Sequence, residues 1–141
     1  TFSKFPESEI ENEIEMRADF VKECGEESIA DWQLMEILKY KDCDKNIELI
    51  AGDITETIPG FVTENPDLKI SLLNLDVDLY EPTVTILENL YPKLQIGGVL
   101  ILDDYNTFPG ETKAVDDFFK DKKVTIKSFP YTETPHYIIK E

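Results

Sequence analysis

The residues best equipped for chemistry are acids gathered in two short segments. Leu75-Asp76-Val77-Asp78-Leu79-Tyr80-Glu81-Pro82 carries a DxD pair, and Gly97-Gly98-Val99-Leu100-Ile101-Leu102-Asp103-Asp104-Tyr105 carries two adjacent acids. Each pair follows an apolar run with strand character. The stretch between them has helical spacing and the length of one crossover between parallel neighbours. Such strands lie about 4.8 Å apart. Asp76, Asp78, Asp103 and Asp104 are therefore expected on one rim, the carboxyl rim where open α/β sheets bind ligands. Carboxylates brought together repel, so either some take up protons or a cation sits between them. A donor set made only of oxygens suits Mg²⁺, Mn²⁺ or Ca²⁺ rather than zinc. No Cys/His cluster competes, because the single His136 is distant in sequence. The plainer alternative is that these acids cap helices and close turns.

Other residues belong to the same question. Gly52-Asp53 ends a short apolar run. Tyr80 and Tyr105 directly follow the acids, placed either to stack on a sugar or adenine ring or to pack beneath the rim. His136, inside the last apolar stretch and without an acid nearby in sequence, reads as a structural residue.

The elements that must position these residues are legible from periodicity. Ile47–Ala51 reads as a short strand, Thr55–Glu64 as a helix or turn interrupted by Pro59-Gly60, and Leu68–Leu75 as a strand, apolar on both faces toward its end. Thr83–Leu94 carries Val84, Leu87, Leu90, Tyr91 and Leu94 at helical spacing, with Pro82 in its first turn and Gly97-Gly98 closing it. Val99–Leu102 reads as a central strand covered on both faces. Glu111–Lys120 reads as a helix with Ala114, Val115, Phe118 and Phe119 inward. Lys123–Phe129 and Thr134–Ile139 read as an antiparallel edge pair. Strands alternating with helices predict a mostly parallel α/β sheet with helices on both faces, ending in an antiparallel hairpin. Residues 46–141 form this sheet. Residues 1–45 read as a helical lid or connector: a helix over Glu7–Glu23 ended by Gly25, and a second opened by a Ser28–Asp31 capping box and running to Tyr40.

Charge and composition narrow the function. The 141 residues include 30 acids and 14 bases, a net charge of −16. That excludes a phosphate-gripping nucleic-acid binder and an anionic-membrane binder. Glu7–Asp31 alone holds ten acids against Arg17 and Lys22, which reads as a solvated helix face. The polar, acidic start reads as no signal peptide, and no apolar run has the length of a membrane span. Cys24 and Cys43 read as free thiols of a reducing, cytoplasmic compartment.

LDVDLYEPT, LYPKL, GGVLILDDY and PGETKAVDDFF, in that order, resemble the macrocin O-methyltransferase family: class I, S-adenosylmethionine-dependent, Mg²⁺-dependent enzymes acting on sugars of macrolides, aminocoumarins and surface polysaccharides. The likeness is strongest over Leu68–Phe119. Thr1-Phe2-Ser3-Lys4-Phe5-Pro6 resembles the segment after that family's second strand, with Lys4 where the family has Gly. By resemblance the first strand and Gly-rich cofactor loop are expected ahead of Thr1, and the chain is one partial domain of a Rossmann-like class I sheet. The resemblance also implies roles. Asp76, Asp103 and Asp104 would hold Mg²⁺. Asp78 would act as general base, with Asp76 as the alternative. Gly52, Asp53, Thr1 and Phe2 would contact S-adenosylmethionine, and Tyr80 and Tyr105 the substrate. The partner would be a small-molecule or nucleotide-linked sugar, with self-association of the enzyme. The rival readings are another Mg²⁺-dependent α/β enzyme, a phosphatase or phosphoryl-transfer domain, and a non-catalytic acidic interaction module.

Overall fold

The structure, a computed structural model, describes residues 11–24 and 29–141. Two helices come first, α1 (Glu11–Cys24) and α2 (Asp31–Tyr40). Then follow α3 (Ile54–Glu64), β1 (Ile70–Leu75), α4 (Tyr80–Asn89), a 3₁₀ turn at Tyr91–Lys93, β2 (Leu94–Leu102), α5 (Pro109–Phe119), β3 (Lys127–Ser128) and β4 (His136–Ile139). The sheet order is β1-β2-β4-β3. β1 and β2 are parallel, while β4 is antiparallel to both β2 and β3. The α/β class and the closing antiparallel hairpin are those the strand spacing predicts, but the described sheet is mixed rather than mostly parallel, with one parallel and two antiparallel pairings. No described helix is long and apolar enough to cross a membrane.

One face of the sheet makes the core. Leu73, Leu75, Leu100, Leu102 and Ile138 lie against Ile86 and Leu87 of α4 and Val115 and Phe119 of α5. Leu75, Leu87, Leu100, Leu102 and Ile138 have no accessible surface, and burying each such side chain contributes roughly 1.5–3 kcal/mol. The opposite face differs from the two-sided cover expected of it. Leu72 and Ile139, which alternation turns away from Leu73 and Ile138, stay 61% and 40% exposed. A run of apolar residues therefore does not by itself say that both faces are covered here.

Several local expectations are corrected. Ile47–Ala51 forms no strand. A strand needs a hydrogen-bonded neighbour, and none of the four described strands pairs with it. Pro59 does not interrupt α3, which runs through it. Gly97 and Gly98 do not end a helix. They lie inside β2, where Gly97 takes φ +79° and the pairing jumps from Ile70–Leu94 to Leu72–Val99. A Cβ on Gly98 would lie 2.8 Å from the Gln95 carbonyl oxygen, so the close approach requires glycine. Leu94 accordingly belongs to a strand, not to the preceding helix. α2 begins at Asp31 with Ala30 as its N-cap. Ser28, the expected cap, lies outside the described residues. The apolar stripe of α2 is not buried either: Trp32 is 62% exposed.

Candidate active site

β1 ends at Leu75 and β2 at Leu102, and these two residues are register partners. The Asp103 N–H donates to the Leu75 carbonyl at 3.0 Å, carrying the pairing one step past the strands. Both acid segments thus leave the same rim side by side. Oxygens of Asp76, Asp78 and Asp104 lie within 4.8 Å of one another. Asp103 stands beside this group and outside it among the described residues, though close enough for Asp76 and Asp104 to repel its charge.

Backbone geometry aims the acids. Asp78 sits at the centre of a tight turn, φ +59°, closed by the Leu79 N–H on the Val77 carbonyl at 2.5 Å. Positive φ disfavours most side chains but is tolerated by Asp and Asn. Strain of this kind gathers at functional sites. Beyond β2 the chain turns back on Asp104, whose carbonyl accepts from Thr107 at 2.8 Å and Phe108 at 2.9 Å. α5 then starts with Pro109 in its first turn, where a missing N–H leaves nothing unsatisfied.

The electrostatics follow from crowding. Burial, a hydrogen bond to Asp104 and the charges of Asp104, Asp76 and Asp103 push the Asp78 carboxyl up to about 7. Burial and the charges of Asp76 and Asp104 also raise Asp103. A fifth acid, Glu111 in the first turn of α5, has no accessible surface and is pushed up to about 8, chiefly by burial. It is absent from the expectations above. Its signal was present, since Glu111 shares the helical stripe of Ala114, Val115 and Phe118, a charged residue where an apolar one is the rule.

The other expected site residues take varied places. Tyr80 donates to Asp117 at 3.0 Å and Tyr105 to Asp116 at 2.8 Å, which holds both rings against α5. His136 is brought to the rim: it pairs with Leu102, its ring meets Tyr105 edge-on at 5.2 Å, and its buried Nδ1 has no partner. Two clefts flank the Asn106–Thr107 loop. One, of about 480 Å³, opens over Lys113, Asp116 and Asp117. The other, of about 420 Å³, runs between that loop and His136, Thr132 and Ser128. Gly52 takes φ +140°, and Asp53 caps α3 by accepting from the Thr55 N–H at 2.8 Å and hydroxyl at 2.7 Å. Thr1 and Phe2 lie outside the described residues.

The profile of the macrocin O-methyltransferase (TylF) family matches residues 1–130. The chain belongs to this family. As a member of the macrocin O-methyltransferase family it is 37% identical over 79 residues to demethyldecarbamoylnovobiocin O-methyltransferase of Streptomyces niveus, covering 56% of this chain and 29% of that one. It is 39% identical over 67 residues to 8-demethyl-8-(2,3-dimethoxy-alpha-L-rhamnosyl)-tetracenomycin-C 4'-O-methyltransferase of Streptomyces olivaceus, covering 48% and 24%. Among solved structures it is similar to CalS11, a TDP-rhamnose 3'-O-methyltransferase, with TM-score 0.67 and 30% identity over 77% of this chain and 50% of that one. The O-methyltransferase NovP shares the fold at TM-score 0.79 and 23% identity, over 99% of this chain and 55% of that one. The fold is that of the class I methyltransferases. The chain spans about half the length of these solved proteins, and its matched stretches span under a third of the two Streptomyces relatives.

Proposed function

We propose that this chain is the acid-bearing part of an S-adenosylmethionine-dependent O-methyltransferase that methylates a sugar hydroxyl with the help of a divalent cation. The observation that carries the reading is the convergence of Asp76, Asp78 and Asp104 oxygens within 4.8 Å at the strand rim. The donor set fits a hard cation. It is all carboxylate, and the mutual repulsion that raises Asp78 and Asp103 is what such an ion relieves.

Asp76 and Asp104 of the converging group, with Asp103 from beside it, would hold Mg²⁺, which, when bound, favours the alkoxide form of a neighbouring hydroxyl. Asp78 is the general base. Burial and the neighbouring acids push its carboxyl up to about 7 in the ion-free site, and a cation held by those acids would lower it toward the ionised form that accepts a proton. Its turn at φ +59° points it toward the point where the other acids meet. Asp76, the alternative base, is exposed. Tyr80 and Tyr105, anchored to α5, are the proposed sugar contacts beside the rim. Gly52 and Asp53 are the proposed adenine contacts, joined by Thr1 and Phe2. A substituent on Gly52 would meet the Thr57 methyl at 2.6 Å, so its backbone stays bare for close approach.

Two of the similar proteins support the substrate class: by name one acts on a rhamnosyl tetracenomycin and the other on TDP-rhamnose. The partner is accordingly a small-molecule or nucleotide-linked sugar; that the enzyme is cytoplasmic and self-associating is part of the same proposal and does not come from the relatives. The exposed free thiol of Cys43 accords with a reducing compartment. The test is methyl transfer from S-adenosylmethionine to TDP-sugars by the full-length protein. Transfer that stops with chelator and with Asp78→Asn supports the reading. Transfer that survives both removes it.

A further inference from the structure

Glu111 takes no part in the reading above, yet it touches both acid segments. It is the third residue of α5 and has no accessible surface. Its N–H donates to the Asp78 carbonyl at 2.8 Å. Its Oε1 accepts from the Asp104 N–H at 3.2 Å. Its Oε2 is buried without a hydrogen-bond partner. A Glu at this position commonly reaches back to its own helix's N-cap amide. Here it reaches past the cap, Phe108, to Asp104.

We propose that Glu111 is a positioning residue that locks the two acid loops together, its main chain on Asp78 and its side chain on Asp104. This rests on the metal-assisted reading and deepens it. Packing alone calls for an apolar residue at this point of the stripe, because Ala114 and Val115 beside it are buried and apolar. A buried carboxyl group with one oxygen unpaired is costly there even when it holds its proton. What it supplies is an acceptor for the amide of Asp104, whose carboxylate is one of the three converging groups. Without that acceptor the amide of this half-buried residue must find another. The turn that places the Asp104 side chain then shifts with it. Groups that hold a ligand in place in this way are worth about 10–100-fold in metal affinity.

The experiment uses the full-length protein and two readouts: Mn²⁺ affinity by electron paramagnetic resonance, and amide hydrogen exchange at Asp104 without metal. S-adenosylhomocysteine binding checks that each variant is folded. Glu111→Ala is expected to lower Mn²⁺ affinity about 10–100-fold and to speed exchange at Asp104. Glu111→Gln, which keeps the oxygen acceptor, is expected to recover most of both. Wild-type Mn²⁺ affinity and wild-type exchange in Glu111→Ala would overturn the proposal, leaving Glu111 as packing. Loss of affinity in Glu111→Gln equal to that in Glu111→Ala would also overturn it, because charge rather than the hydrogen bond would then matter. A wild type that takes up no Mn²⁺ sinks the metal reading by itself. The exchange rates then still decide: fast in Glu111→Ala and slow in Glu111→Gln supports the lock, and equal rates refute it.

Discussion

Replacing Asp78 by Asn should make the metal-free protein less sensitive to rising pH. Asp78 ordinarily titrates near 3.8 and is pushed up to about 7 by burial and by its acid neighbours. A carboxyl whose folded value is raised holds its proton in the folded state after the unfolded chain has released it. Its stabilising effect is complete below the unfolded value and is lost as pH rises through the folded one. Between pH 5 and the folded value near 7, two pH units at about 1.36 kcal/mol each give roughly 3 kcal/mol at face value. Asp78 is only half-buried, so solvent screening reduces this to about 1 kcal/mol. Asn cannot ionise and, like Asp, tolerates the φ of +59° at this position, so the substitution adds no backbone strain. The assay is urea denaturation of the full-length protein in chelator at pH 5 and pH 8. Wild type should lose about 1 kcal/mol more than Asp78→Asn over that interval. Equal pH dependence of the two proteins would refute the account of the repelling cluster, and a wild type that gains stability toward pH 8 relative to the variant would reverse it.

Two further expectations concern the frame that holds the site. Gly98→Ala places a Cβ 2.8 Å from the Gln95 carbonyl oxygen and 2.9 Å from Leu94; overpacking of this kind costs about 1–3 kcal/mol, visible as a lowered Tm, and an unchanged Tm would contradict the tight approach. Asp53→Ala removes the cap of α3 and its two bonds to Thr55, a loss of about 1 kcal/mol that thermal melting should register and Asp53→Asn should largely restore.

The site was more legible in the sequence than its frame. Asp76, Asp78, Asp103 and Asp104 sit directly after runs of Leu and Ile whose parallel pairing is the common solution for a strand–helix–strand unit, so spacing alone brings them to one rim. Their finer division was not legible. Which three acids converge depends on the turn at Asp78, and a φ of +59° there leaves no mark in residue types, since Asp is common in every kind of turn. Gly97-Gly98 misled for the same reason: glycine permits both a helix end and a kinked strand, and only the register with Ile70 and Leu72 distinguishes them. Ile47–Ala51 has the composition of a strand, but composition cannot supply a neighbour to pair with. Pro59 lies inside α3 where a break was expected, and nothing in the packing of this helix, which buries no residue, explains it. The role of Glu111 is hidden in the sequence because a charge on an apolar stripe reads as a boundary of that stripe. Its role depends on Asp78 and Asp104 backbone atoms that no periodicity reveals.

The most direct test of the metal-assisted account is calorimetric titration of Mg²⁺ into the full-length protein with S-adenosylhomocysteine present, beside an Asp103→Asn, Asp104→Asn double variant. The account predicts saturable binding by wild type, with protons released as the raised carboxyls lose them, and no binding by the folded double variant. A folded wild type that takes up no divalent cation, or a double variant that binds as wild type does, would contradict it.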